Sequence, residues 1–333
     1  MSARLKEKLK ERFDERSINN DLWGRKCANQ IFLESLISYD HFHNKLAYEI
    51  TLKKHQAIIE YLLDKYGYAI KTNRKEELQG NLNNIENVIW TFWWQGESMA
   101  PEMIKQCIAS MKQNSNGHEV IVISEANYMQ YIQVPDYISD KVKRGIITYT
   151  HLSDIIRMLL LKTYGGLWLD ATIFVTDKIP DSYFNYNYFT AKLPRQKISC
   201  ISEFRWSGNV MGGKKQYCFF SYMCDFFAAY WKQEEKLIDY FLIDYATEIA
   251  LQNMDNFRED FERLDYNNVS MYDIGRIANE ECIQEHLKEI MDATIFHKLQ
   301  RRDKYLVETH NHKLTYYGAL LKKELKHGNS IET

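Results

Sequence analysis

LSDIIRMLLLKTYGGLWLDATIFV, residues 152–175, is the stretch on which the fold turns. From Leu152 to Tyr164 apolar residues recur at helical spacing, with Leu159, Leu160 and Leu161 on the buried side and Ser153 or Thr150 available as the N-cap. Gly165-Gly166 then stops the helix, because glycine adopts a left-handed C-cap conformation without a Cβ penalty. Leu167-Trp168-Leu169 and Ile173-Phe174-Val175 read as two short buried strands flanking Asp170-Ala171-Thr172. An acid is thereby delivered to the carboxyl end of a strand, the edge at which open parallel sheets form their ligand crevices.

The flanking sequence supports the same architecture. Val88 to Trp94 is a β-branched and aromatic run that stops at Gln95-Gly96, as a buried strand ending in a loop does. Pro101 suits the first turn of a helix running to about Lys112, and Glu119 to Ser124 follows as a second buried strand. Strand, helix, strand is the crossover unit of a parallel sheet. Short helices are expected near residues 126–131 and 135–144, another strand at Asn209-Val210-Met211, and two long helices over 219–233 and 236–254. Ahead of all this, Ile58, Ile59, Leu62, Leu63 and Tyr66 recur at helical spacing, and a polar run from Lys71 to Asn84 has the composition of a linker. These features divide the chain into a helical N-terminal region, 1–84, and an α/β domain, 85–325.

Bulk properties exclude several classes. With 45% hydrophobic residues and only 4 prolines, the composition is that of a folded chain. Lys and Arg number 43 against 45 Asp and Glu, a net charge of −2 that offers no global field to nucleic acid. None of the 6 cysteines forms a C-x-x-C pair, so reduced thiols are expected. The first residues lack an apolar segment and no long apolar run occurs, which points to a cytoplasmic protein, soluble or peripheral at the inner membrane face. No G-x-G-x-x-G follows the first strand and no P-loop is present, which disfavours nicotinamide enzymes and P-loop nucleotidases. Nothing in the sequence sets an oligomeric state.

The chemistry gathers around Asp154, Arg157 and Asp170. Asp154 and Arg157 are three apart, on one helical face. Taken alone they read as an ordinary, weak surface ion pair. The acid at the strand end changes that weighting, since a carboxylate there suits Mg²⁺ or Mn²⁺ on a diphosphate. Asp239 and Asp244 lie in a segment otherwise too apolar to be wholly exposed, so at least one of them is expected to face a polar cleft, for acceptor binding or acid/base work.

The order SD-x-x-R (Ser153, Asp154, Arg157) and then YGG-x-W-x-D (Tyr164 to Asp170) resembles the donor site of GT-A fold glycosyltransferases with a DXD motif, including yeast-type mannosyltransferases and the large clostridial glucosylating toxins. Trp93-Trp94-Gln95-Gly96, HLSDIIR at 151–157 and GGLWLDAT at 165–172 are similar to the bacterial capsular polysaccharide synthesis protein family, over about residues 85 to 320. The resemblance implies a Rossmann-like GT-A fold with a mostly parallel central sheet, an added N-terminal helical region and C-terminal helices. It implies transfer of a sugar, with retention, from a UDP- or GDP-sugar to a glycan or lipid-linked glycan of a capsular or other surface polysaccharide. A toxin-like protein glycosyltransferase and a non-catalytic sugar-nucleotide-binding protein are the alternatives.

By the same resemblance Asp154 and Arg157 hold donor-sugar hydroxyls, Asp170 meets the ribose or the metal shell, and one of Trp93 and Trp94 stacks on the base. Ser153 and Gly166 belong to these donor segments, His297 and Lys298 fall where related enzymes close the diphosphate site, and Asn209 to Gly212 falls beside the acceptor. The implied cofactor is Mn²⁺ or Mg²⁺ at Asp170 and Thr172. Thr172 stands where the family motif has its second aspartate, and a neutral hydroxyl is a weaker ligand, so metal dependence stays open on the sequence.

Overall fold

The computed structural model describes residues 45–71, 85–198 and 200–328. The expected helices before residue 45 and the linker over 72–84 lie outside the described residues. The first described element is helix α1 (Lys45–Tyr66), continued by a 3-10 turn, Gly67–Lys71. Its Ile58, Ile59, Leu62 and Tyr66 are buried in the same core as the central sheet. Polar ties reinforce the docking. Glu234 accepts hydrogen bonds from Tyr61 Oη at 3.1 Å and Lys65 Nζ at 2.6 Å, and Lys54 Nζ lies 2.8 Å from Asp239 Oδ2. Buried carboxylates need such partners, because desolvating an unpaired charge costs several kcal/mol.

The sheet begins with β1 (Ile89–Phe92), α2 (Glu102–Gln113) and β2 (Val120–Ile123). After α3 (Asp136–Lys143) and α4 (Tyr149–Tyr164) the chain returns as β3 (Gly166–Leu169) on the other side of β1. It continues through β4 (Ile173–Val175), β5 (Tyr188–Thr190) and β6 (Val210–Gly213). The strand order is β2-β1-β3-β6-β5, with β2, β1 and β3 mutually parallel, β6 antiparallel to β3, and β5 antiparallel to β6. Four of the five strands therefore run the same way, as the expected mostly parallel sheet requires. β1 and β3 are buried along their whole length, which is why they read as unbroken apolar runs. Because the connections from β1 leave in opposite directions, to β2 on one side and eventually to β3 on the other, a crevice opens between the carboxyl ends of β1 and β3.

The remaining elements close the other wall. They are α5 (Cys218–Gln233), α6 (Leu242–Asn253), α7 (Asp255–Glu262), α8 (Asp273–Ile277), α9 (Gln284–Ala293), β7 (Phe296–Lys298) and α10 (Tyr316–Gly328). β7 pairs antiparallel with β4 in a separate two-stranded sheet, Ile173 opposite Lys298 and Phe174 opposite His297.

Three expectations shift. Trp93 and Trp94 fall beyond the end of β1, in the turn. The cap of α4 is Thr148, whose side chain accepts from the His151 N–H, and neither Thr150 nor Ser153 serves. The helix expected from 236 begins only at Leu242, because the Asp239 carboxylate accepts the Phe241 N–H at 2.9 Å and the Ile238 N–H bonds to Tyr230 Oη at 2.8 Å. Such local side-chain bonds offer the backbone an alternative to the helix. The glycine pair behaves as expected, with φ of +70° and +95°, and a Cβ on Gly166 would stand 2.4 Å from the Val88 carbonyl oxygen.

Candidate functional site

A cleft of about 570 Å³ occupies the switch point. Its floor is the first turns of α4, which present Ser153, Asp154 and Arg157, and its back is the carboxyl end of β3 with Asp170, Ala171 and Thr172. The turn after β1 supplies Trp93, Trp94 and Gln95. The facing wall comes from Trp206 to Asn209, Tyr240, Asp244, Tyr272, Lys298 and Arg301.

Asp154, Arg157, Asp170 and Lys298 form one charge network. The Arg157 side chain is only 5% exposed, with Nη2 at 3.3 Å from Asp154 Oδ1 and 3.0 Å from Asp170 Oδ1. Its guanidinium lies over the Trp168 ring at 4.8 Å from the centroid, a cation–π contact in a dry setting. Gly208 makes room for it, since a Cβ there would stand 2.9 Å from Arg157 Nη1. Trp168 precedes Asp170 by two residues on the same strand face, so its Nε1–H donates to Asp170 Oδ1 at 2.9 Å. Lys298 Nζ reaches the other oxygen, Oδ2, at 3.2 Å and also donates to the Thr172 hydroxyl. Burial works to raise the Asp170 pKa, but the Lys298 and Arg157 charges and the Trp168 donor hold the carboxyl below its usual range. Asp170 is an anion at every physiological pH.

His151 sits behind Asp154. Trp231 Nε1 donates to His151 Nε2 at 2.8 Å. An indole can only donate, so the neutral imidazole carries its proton on Nδ1, which lies 3.4 Å from Asp154 Oδ2. Asp154 thus has the Arg157 guanidinium at one carboxylate oxygen, while His151 Nδ1 lies near the other without a hydrogen bond to it.

Asp244, in the first turn of α6, is the third acid of the cleft. Trp206 Nε1 donates to its Oδ1 at 2.7 Å. Burial dominates and pushes its pKa up to about 7, against the lowering effect of that hydrogen bond. Carboxyls set between acid and base forms near neutrality are suited to proton transfer.

Several expected site residues lie elsewhere. Gly166 and Gly212 are buried where β3 meets its neighbours, and a Cβ on Gly212 would stand 2.4 Å from the Gly166 carbonyl oxygen, so both glycines serve strand packing. Gly96 follows the cleft turn without lining it. His297 is wholly buried, with Nε2 at 3.0 Å from Thr176 Oγ1, because alternate residues of β7 point to opposite faces and only Lys298 faces the cleft. Asp239 is tied to Lys54. Trp94 stacks on Tyr149 at 5.3 Å, and Trp93 packs against the Ala100, Ile104 and Ala171 cluster, so each indole is anchored by the protein as well as lining the cleft. Asn209 lines the wall, its Nδ2 donating to Tyr272 Oη at 3.2 Å.

The expected cation finds a poor set of ligands. Mg²⁺ and Mn²⁺ ask for several oxygen donors. At Asp170 and Thr172 there are one carboxylate and one neutral hydroxyl, and an ammonium is already bonded to both. Among the described residues no group of three Asp, Glu, His or Cys side chains is arranged to hold a metal ion. A divalent cation at this spot would sit within a few ångströms of the Lys298 and Arg157 charges, and Coulomb repulsion opposes it. The residues present do not fit a resident divalent cation.

Sequence reasoning passed over Trp206, Ser207, Tyr149, Tyr240, Tyr272 and Arg301. Only Trp206 and Ser207 carried a signal, as neighbours of the Asn209 segment within Arg205-Trp206-Ser207-Gly208-Asn209.

An open α/β sheet with its crevice at the switch point, lined by aromatic rings and an acid–base network, is the arrangement in which α/β proteins place their ligand sites. The chain belongs to the capsular polysaccharide synthesis protein family, whose model matches residues 39–320, and as a member it is a glycosyltransferase. Among solved structures, one described as PaToxG glycosyltransferase is similar at 13% identity, covering 64% of this chain and 83% of that one with a TM-score of 0.37. No curated protein sequence matches the chain. No helix among the described residues is long and apolar enough to cross a membrane.

Proposed function

We propose that the chain transfers a sugar from a nucleoside-diphosphate sugar to a hydroxyl of a glycan acceptor in capsular or other surface polysaccharide synthesis, retaining the anomeric configuration. The observation that carries this reading is the Asp154–Arg157–Asp170–Lys298 network at the sheet switch point. Trp93 and Trp94 offer ring surface to the base, and Asp154 accepts hydrogen bonds from donor-sugar hydroxyls. Arg157 keeps both carboxylates at fixed separation and its guanidinium meets the sugar from below. In the reaction the bond from the sugar C1 to the diphosphate oxygen breaks with its electron pair going to that oxygen, and the acceptor hydroxyl oxygen bonds to C1 from the same face. Positioning and charge stabilisation supply the rate. Asp244, on the facing wall, holds the acceptor hydroxyl and takes its proton when ionised.

Two measurements test this. A thermal-shift screen of UDP-, GDP- and CMP-sugars is expected to stabilise the protein with at least one donor, and a flat response to all of them would count against the whole reading. Labelled-sugar transfer then separates acceptors. Label running with lipid-linked or free glycan supports the reading, and label on protein points to a toxin-like activity.

Asp244 adds a pH signature. Its folded pKa is about 7 whereas the unfolded carboxyl releases its proton near 3.9, so between those values the folded state binds more protons. Stability contributed by this group is therefore full below about pH 4 and declines as pH rises through the window. Asp244→Asn keeps an acceptor for Trp206 and is expected to melt roughly 2–4 °C above the parent at pH 8, with no gain at pH 4. Transfer by the parent should rise through pH 7, and the variant should lose about 10²-fold in rate and the acid limb with it. A variant that keeps the acid limb would remove Asp244 from the proton path.

A further inference from the structure

Lys298 occupies an unusual place. In a DXD site the two acids hold a divalent cation against the donor diphosphate. Here the corresponding positions are Asp170 and Thr172, and the Lys298 ammonium is bonded to both, 3.2 Å from Asp170 Oδ2 and on the Thr172 hydroxyl. The backbone makes this arrangement firm. Leu299 N donates to the Thr172 carbonyl at 2.9 Å, Ile173 N to the Asp170 carbonyl at 2.8 Å, and Lys298 N to the Met271 carbonyl at 2.7 Å. The strand that delivers the lysine and the turn that delivers the acid are thus stitched together before any ligand arrives.

The charge count agrees with the geometry. Two carboxylates, Asp154 and Asp170, face two cations, Arg157 and Lys298, so the network is neutral by itself. An ammonium has three N–H donors, and Asp170 and Thr172 use two. Lys298 also lines the cleft at 20% side-chain exposure, with Arg301 exposed on the same rim three residues on. Thr172 suits this arrangement for the reason it suits a metal poorly. A neutral hydroxyl can accept from an ammonium at no electrostatic cost, whereas a second carboxylate there would give the network a net negative charge and repel a diphosphate.

We propose that the Lys298 ammonium, held between Asp170 and Thr172, does the work of the divalent cation and receives the donor diphosphate on its cleft side, so that donor binding and sugar transfer proceed without a divalent metal. The inference rests on the glycosyl-transfer reading above. When the sugar–phosphate bond breaks, the electron pair goes to the diphosphate oxygen and the new charge is met by the Lys298 ammonium, with Arg301 adding to the field from the rim. Asp170 in this scheme is a positioning residue for the ammonium.

The test is calorimetric binding of UDP and GDP, with the parent nucleosides as uncharged controls, in EDTA and in Mn²⁺. The expected result is binding of one nucleoside diphosphate in EDTA at an affinity within about threefold of that in Mn²⁺, since no charged contact is lost. Lys298→Met should weaken binding in EDTA by about 10- to 100-fold, the loss of a charge-assisted hydrogen bond, and leave nucleoside binding unchanged. Lys298→Arg should recover part of the loss. Lys298→Ala combined with Thr172→Asp rebuilds an acid pair and should make binding depend on Mn²⁺. Binding by the parent protein that needs Mn²⁺ by tenfold or more would overturn the inference while sparing the glycosyl-transfer reading. No binding of either diphosphate under any condition would remove both. The parent comparison stands whether or not the variants fold.

Discussion

Asp170→Asn is expected to lower sugar transfer by about 10²- to 10³-fold while the protein still folds. The substitution keeps the size of the side chain and a carbonyl oxygen for the Trp168 N–H, but removes the charge to which Arg157 and Lys298 are both attached. Neither cation is then held at its present angle, and misplacement of a binding group by an ångström is enough to cost two decades in rate. Asp170→Ala tests something else, because it leaves two partly desolvated cations without their shared partner and so lowers stability as well. The informative comparison is melting temperature against turnover. Asp170→Asn with near-parental melting and lost turnover places the residue in the machinery; near-parental turnover would place it outside.

Arg157→Met is expected to lower the melting temperature on the order of 10 °C and to abolish transfer. Among the described residues Arg157 is the one cation that touches both Asp154 and Asp170, and its side chain is almost wholly buried. Methionine fills similar volume and still packs on Trp168, but the two carboxylates then face each other with less compensation, a cost of about 3–5 kcal/mol. The penalty has a pH signature. Without the guanidinium Asp170 loses one of the charges that hold its pKa down and binds its proton more tightly in the folded state, so the variant recovers toward the parent as pH falls and loses ground as it rises. Adding Asp154→Asn and Asp170→Asn to Arg157→Met should restore most of the stability and none of the activity. A triple variant as unstable as Arg157→Met would show that packing, not charge, sets the cost.

Both predictions concern residues that were readable from the sequence, and the reason is local. Asp154 and Arg157 lie one helical turn apart, and the glycine pair, the short strand and Asp170 follow directly in the chain. Signals of this kind, periodicity, caps and turn residues, act over a few residues and survive in a linear string. The same locality explains why one helix begins later than expected. The helix expected from residue 236 has the right apolar spacing, but the Asp239 carboxylate and the hydroxyl of Tyr230, on the preceding helix, take its first backbone donors, and apolar periodicity does not register such bonds.

The α/β class, the helix–glycine–strand unit and the two motif acids with their arginine could be read from residues that are neighbours in the chain. Tertiary structure alone decided what surrounds them. Lys298 comes 128 residues after Asp170, and it meets the acid only because β7 pairs with β4 in one register, which turns Lys298 toward the cleft and His297 away from it. Asp244 differs from Asp239 for a similar reason: the start of α6 aims one at Trp206 and the loop before it ties the other to Lys54. Register and burial are properties of the packed chain, so the same residue types at the same spacing become a site or a strut according to which face the fold gives them. The place of Lys298 is set at that level too: the resemblance put it near the diphosphate site, and the pairing of β7 with β4 is what bonds it to Asp170 and Thr172.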